Sequence, residues 1–377
     1  MRRPGILHRL KLRSREKEPT EKSLFTTRDY GLKTIAEGQH DTTDIVFAHG
    51  LTGGRDSTWT YKPTSIFWPQ DLLAKELKNV RILTFDYDAD VLKLLNIAIG
   101  NTIRDHGKSL AQDVSLRRAG TNSVERPIIL VAHSLGGLVV EQALLISRGT
   151  SQPHVKSLLP STAAIAFMGM PNLGSRKADW AARLTALSNL FRKTNKDNMA
   201  VLEPGSEMLS NLQQEFHTML EDRRTNEGKW LEICCFYEEL AYPGIGDIVP
   251  RQSAILPEYP NASIHQNHSD ITKFSGATYP GYVRVRGQLW LWVDATDKRR
   301  GVERAQEHVR HQVSHKSEET CPPKHLIQTP RQTQQDKTAC EPVRNTSTTA
   351  SPSSGGGPIF MGDVTAGRDF NHNQGAI

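Results

Sequence analysis

A chain of 377 residues with six tryptophans, all between Trp59 and Trp292, has material for one large core, whereas Val293 to Ile359 contains no Phe, Tyr or Trp and lacks the apolar bulk to offset the entropy of ordering itself. The formal charge of +6 sits at the ends: residues 1–22 carry +5, 298–345 carry +4 and 346–377 carry −1, leaving about −2 on 23–297, so a nucleic-acid groove in the body is excluded. Four cysteines, two of them adjacent at Cys234 and Cys235, do not make a disulfide framework and fit a reducing compartment.

Residues 1–30 open with "MRRPGILHRLKLRSR", basic and intermittently apolar. No continuous apolar run follows, so a secretory signal is not expected. The segment reads as a solvated basic tail, with a membrane-surface helix or a mitochondrial presequence as alternatives. No run approaches the roughly 20 apolar residues of a bilayer span, and the expected location is cytoplasmic, with recruitment to membrane surfaces.

Residues 31–294 form the expected domain. From Asp41 short apolar runs alternate with amphipathic stretches: "TDIVFAHG", "VRILTFDYD", "RPIILVAHS", "TAAIAFMGMP" and "KWLEICCFYEE" predict strands. Between the earlier of these, "WPQDLLAKELK", "IRDHGKSLAQDVSLRRA" and "LGGLVVEQALLISR" have helical periodicity. Uniformly apolar strands imply burial on both faces, hence a mostly parallel sheet flanked by helices. Residues 175–228, helical and polar-flecked, interrupt the rhythm as an insertion that either covers a site or decorates the surface. Residues 295–355 read as a disordered linker ending in "SPSSGGGP". In 356–377 apolar residues return in bursts (Ile359, Phe360, Val364, Phe370) between Gly-Asp and Gly-Arg-Asp turn formers.

The chemistry centres on "VAHSLGG". A strand that turns sharply into a helix at a serine needs small residues two before and two after it. Ala132 and Gly136 meet that need, so Ser134 reads as a nucleophile presented at the top of the sheet. The Leu135 N–H, at the helix start, would face a developing oxyanion. "FAHGLTGG" follows the first strong strand and would supply a second oxyanion donor from the Leu51 backbone, with Gly50 letting the loop approach and His49 ordering it.

The general base is expected downstream, in "SIHQNHSDITKF", where His268 is preferred over His265 because it opens a turn after a short strand. For the acid that orients the imidazole, Glu238, Glu239 and Asp247 all remain open. His308, His311 and His315 would share a helical face, but without cysteine or carboxylate at suitable offsets they read as a solvated face, not a metal site. No Walker loop, dinucleotide fingerprint or Cys-x-x-Cys pair occurs, so no cofactor or metal is expected.

Taken together, "VFAHGLTGGRDSTWTY", "FWPQDLLAKEL", "RILTFDYDAD", "ILVAHSLGGLVVEQAL", "AFMGMPNLGS", "CFYEEL", "IVPRQSAILP" and "NHSDITKF" resemble the serine-esterase-like α/β-hydrolase family of the mitochondrial serine active site protein. The resemblance is greatest to the fungal form found alone or fused to NOD-like receptor ATPases. It spans about Asp41 to Phe274 and implies an α/β-hydrolase fold, lipase or esterase chemistry and a triad of Ser134, His268 and an acid. The family's Phe-Tyr-Glu motif falls on Phe236, Tyr237 and Glu238, which moves the acid to Glu238 ahead of Glu239 and Asp247. Asn172 stands where the family commonly has a histidine.

The tail's Gly-x-x-Phe-x-Gly and Ala-Gly-x-Asp-Phe runs are similar to sigma-type prion-like amyloid motifs of fungal effectors. That similarity implies self-assembly through residues 356–377, templated by a NOD-like receptor with a matching motif, in nonself recognition or programmed cell death. The alternative expectation is a hydrolase-fold scaffold that no longer turns over.

Overall fold

The structure, a computed structural model, describes residues 30–38, 43–50, 53–88, 99–172, 206–228 and 230–319. Nine strands follow one another among the described residues. They are β1 (Gly31–Ala36), β2 (Thr43–Ala48), β3 (Thr60–Tyr61), β4 (Ile66–Phe67), β5 (Val80–Asp86), β6 (Ile128–His133), β7 (Thr162–Met168), β8 (Glu232–Glu238) and β9 (Asn261–Ile264). Seven of them make one sheet in the order β1-β5-β2-β6-β7-β8-β9, and β3 pairs with β4 in a separate two-stranded ribbon. All pairings in the large sheet are parallel except β1 with β5.

The long helices are α1 (Ile99–Gly120), α2 (Gly136–Gly149), α3 (Ser206–Thr225) and α4 (Pro280–Glu319). Side chains alternate across the sheet, and both faces are covered. Val46, Leu83, Leu130 and Ile165 pack into a cluster with Val139, Leu144 and Phe216 of α2 and α3. Their neighbours Ile45, Phe47, Ile82 and Val131 pack with Trp59, Trp68 and, from α4, Tyr282, Val285 and Leu289. Burial on both faces is why the strands read as unbroken apolar runs.

Register levels the strand ends. Ala48 lies opposite both Phe85 and Ala132, His133 opposite Met168, and Met168 opposite Phe236. The residues that follow, among them His49, Asp86, Ser134 and Gly169, therefore share one rim, the carboxyl edge where open parallel sheets place their sites. The opposite edge holds a charge cluster: the buried Asp44 carboxylate accepts from Arg81 (2.8 and 2.9 Å), Arg118 (2.9 Å) and Arg126 (3.3 Å).

Two elements differ from the sequence expectations. β1, a half-buried antiparallel edge strand, precedes the first strand expected from Asp41. Its alternation is weak because a single neighbour and partial cover leave neither face fully apolar. The chain from Lys298, expected as linker, continues as helix through Glu319. Its first half is anchored by Tyr282, Val285, Leu289, Trp292, Val293 and Thr296, whereas 301–310 are exposed throughout. The missing aromatics argue against a core there. They do not stop helix propagating through Ala, Arg, Gln and Glu from an end that packing has already nucleated.

Within the 175–228 insertion, α3 packs along α2; residues 173–205 lie outside the described residues, as do 1–29 and 320–377. Among the described residues no helix is long and apolar enough to cross a membrane.

Candidate active site

Ser134 sits between β6 and α2 with φ of +51°, a left-handed conformation that side chains disfavour. What holds it there is backbone contact. Its N–H donates to the Met168 carbonyl at 3.0 Å, and the Gly137 N–H donates to the Ser134 carbonyl at 3.0 Å. The small neighbours are obligatory: a Cβ on Gly136 would lie 2.3 Å from the His49 carbonyl oxygen, and one on Gly137 would meet the Met170 sulfur. Leu135 caps the N-terminus of α2, where backbone donors and the helix dipole favour negative charge. Leu51 lies outside the described residues. Gly50, next to it, packs so closely that a Cβ would lie 2.8 Å from the Ser134 Cβ.

His268 follows β9 in a loop pinned at several points. Ile271 and Phe274 are buried, Thr272 donates its hydroxyl to the Thr58 carbonyl (2.7 Å), and Trp68 Nε1 donates to the Thr272 carbonyl (2.8 Å). The His268 Nε2 lies 3.0 Å from Ser134 Oγ, and its Nδ1 lies 2.7 Å from Glu238 Oε2. A carboxylate accepts only, so Nδ1 carries the hydrogen and Nε2 is left to accept from the serine hydroxyl. The other Glu238 oxygen accepts from the Val249 N–H at 2.9 Å.

Each acid candidate has a distinct position. Glu238, at the end of β8, is buried against His268. Glu239 points outward and pairs with the exposed His265 at 2.8 Å; the Ser263 hydroxyl, and after it this pairing, hold its carboxyl below the usual carboxylate range. Asp247 is exposed; its loop contributes through the Val249 backbone instead. Asn172 is a loop fastener, with Nδ2 donating to the Ala254 carbonyl at 3.1 Å. His308, His311 and His315 fall on one continuous helix, and among the described residues no group of three metal-ligating side chains occurs.

Two further residues shape the site without a sequence signal. Gly169 holds φ of +58°, and a Cβ there would lie 3.2 Å from His268 Nδ1 and 3.5 Å from Glu238 Oε2. His133 donates from Nε2 to the His268 carbonyl at 3.1 Å. Burial, then the neighbouring His268 ring, holds His133 well below the usual histidine range, so it is neutral. The row Ser134, His268, Glu238 can move a proton off a hydroxyl and return it to a leaving group. Ser134 and His268 are 3 % and 2 % exposed, so charge developing there meets little water.

A family match agrees with this architecture. The model of the alpha/beta hydrolase family matches residues 45–328. Protein SERAC1 of Danio rerio is 28% identical over 238 residues, 55% of this chain and 34% of that protein; the Homo sapiens protein is 26% identical over 235 residues, with the same coverage. The match thus spans about a third of the length of these relatives. Among solved structures, the Bacillus licheniformis lipase BlEst2 in mature form aligns with a TM-score of 0.44 and 18% identity, covering 68% of this chain and 97% of that one.

Proposed function

The chain belongs to the alpha/beta hydrolase family, and from that premise we propose that it is a serine hydrolase of carboxylic esters, with lipid esters as its substrate class. The hydrogen-bonded row from Ser134 through His268 to Glu238, at 3.0 and 2.7 Å, carries the reading.

In the proposed reaction Ser134 Oγ attacks the ester carbonyl while His268 Nε2 takes its proton. Glu238 holds the ring and stabilises the imidazolium that forms. The carbonyl oxygen becomes an oxyanion, bound by the Leu135 and Leu51 backbone N–H groups. His268 returns the proton to the departing alcohol, leaving an acyl-serine; water, activated by the same imidazole, then releases the acid. This chain's own residues suffice for every step.

A panel of lipid and short acyl esters, assayed with full-length protein and Ser134→Ala, tests the reading. The expected result is hydrolysis by the wild type, with turnover lower by about 10⁴-fold or more in the variant. Equal rates from the two proteins, or no hydrolysis with the tail either free or assembled, would contradict it.

The proposal extends to the tail. Residues 356–377, low in charge and with apolar bursts spaced by glycine, gain backbone hydrogen bonds by stacking with copies of themselves. In this reading a NOD-like receptor with a matching segment templates the stack, and the hydrolase acts as an effector of nonself recognition or cell death on membrane surfaces reached from the cytoplasm. A peptide of residues 356–377 should form fibrils when seeded; persistent monomer at high concentration with seeds present would remove this part.

A further inference from the structure

His49 follows β2 and has a fully buried ring. Its Nδ1 lies 2.8 Å from the Gly50 carbonyl oxygen and its Nε2 lies 2.8 Å from Asp86 Oδ1. Carbonyl and carboxylate oxygens offer lone pairs only, so each contact requires a hydrogen, and the two together require a second hydrogen on the imidazole or shared with the carboxylate. The Tyr87 N–H donates toward Nε2 at the longer distance of 3.3 Å, a weaker contact that is given up when Nε2 carries the hydrogen shared with Asp86 at 2.8 Å.

Other groups face the pair from every side. Arg55 Nε stands 3.9 Å from Asp86 Oδ2. The Tyr87 ring stacks on His49 at 4.3 Å and 6°, and its hydroxyl donates to the His49 carbonyl at 2.6 Å. His106 and His133 lie within electrostatic reach, and burial lowers both.

The position of the pair matters because of what it touches. The His49 carbonyl oxygen occupies the space a Cβ of Gly136 would need, and Gly50 presses on Ser134 and on the His133 carbonyl. The His49 ring thus hydrogen-bonds the carbonyl of the glycine that packs against the nucleophile. Fixing that carbonyl fixes the Gly50 backbone that packs against Ser134.

We propose that His49 and Asp86 form a buried imidazolium–carboxylate pair that positions the His49–Gly50 turn against Ser134, so that the charge state of the pair, and not its packing alone, sets turnover. The kinetic consequence rests on the serine-hydrolase reading; the charge state does not. His49 is a positioning residue here, since its ring acts through the Gly50 peptide and not on the reacting atoms. The pair is neutral as a whole, which lets it persist in the interior, and His49 loses its reason to be charged when Asp86 is replaced.

The test uses the full chain and Asp86→Asn, which keeps the shape and an acceptor oxygen while removing the charge. Nitrogen-15 NMR of histidine-labelled protein, with the His49 signals assigned by their loss in His49→Gln, counts hydrogens on the ring near neutral pH. The pair predicts two in the wild type and one in Asp86→Asn. Steady-state kinetics on a soluble ester should show kcat lower by roughly 10-fold or more in Asp86→Asn with KM unchanged, because only transition-state binding is weakened. A single hydrogen on the wild-type ring would overturn the proposal, as would wild-type kcat in Asp86→Asn. A wild type inactive on every ester would remove the hydrolase reading and leave the NMR count to decide the pair.

Discussion

Ser134 is held at φ of +51° by its N–H bond to the Met168 carbonyl and by the Gly137 N–H on its own carbonyl, while the Ala48 and His49 carbonyls leave no room for a Cβ on Gly136. The same crowding aims Oγ at His268. Glu238 and Glu239 then differ by a single step of chain and by everything around them: one is 8 % exposed and bonded to His268, the other faces His265 at the surface. Glu238→Gln should lower kcat by about 10⁴-fold by leaving the imidazole in the wrong tautomer, while Glu239→Gln stays within about threefold of wild type. Steady-state rates on one ester check both; the reverse order would move the acid to Glu239. Sequence placed Ser134 and His268 because an elbow and a loop histidine are local patterns. Read from the residues alone the acid stayed open, for a physical reason, and it was the family resemblance that put Glu238 first. β8 is buried on both faces, so side-chain alternation could not say which glutamate turns inward.

Elements place these residues through glycines and loop ties as much as through the sheet. Gly169 ends β7 at φ of +58° with His268 and Glu238 in the space where a Cβ would go. Gly169→Ala should therefore cost activity more than stability, with kcat down roughly 10-fold or more as the imidazole shifts, measured beside the melting temperature. Unchanged kcat would show that the His268 loop yields freely. Gly169 stands at the first glycine of a family motif, but no local pattern in "AFMGMPNLGS" tells what it does, because its neighbours come from β8 and the loop after β9, remote in sequence. The apolar strands and helices α1 and α2 were legible, since burial on both faces and helical spacing leave strong periodic signals. The reach of α4 was not. Composition reports the absence of a core, and an anchored helix needs none to continue.

At the scale of the molecule, chemistry gathers on the carboxyl rim of the sheet and the Asp44–Arg cluster on the opposite edge, with two apolar layers between. One acid violates those layers. Glu141, on α2, is 1 % exposed, and burial raises its carboxyl well above the ordinary value of 4.5. The folded chain keeps a proton there that the unfolded chain releases, so this contribution is full below about pH 4.5 and stability falls as pH rises above it. Glu141→Gln, neutral throughout, lacks that slope. Its unfolding free energy relative to wild type should be greater at about pH 8 than at about pH 5 in denaturant titrations; equal differences at the two values would contradict a protonated Glu141.

The central claim is that Ser134 is a nucleophile activated by His268. It is met most directly by treating the full chain with a fluorophosphonate and locating the adduct by peptide mass spectrometry. The account predicts one phosphonylated residue, Ser134, with labelling slowed strongly in Glu238→Gln and in His268→Ala. A folded wild type that takes no label, or takes it at another residue, would contradict it.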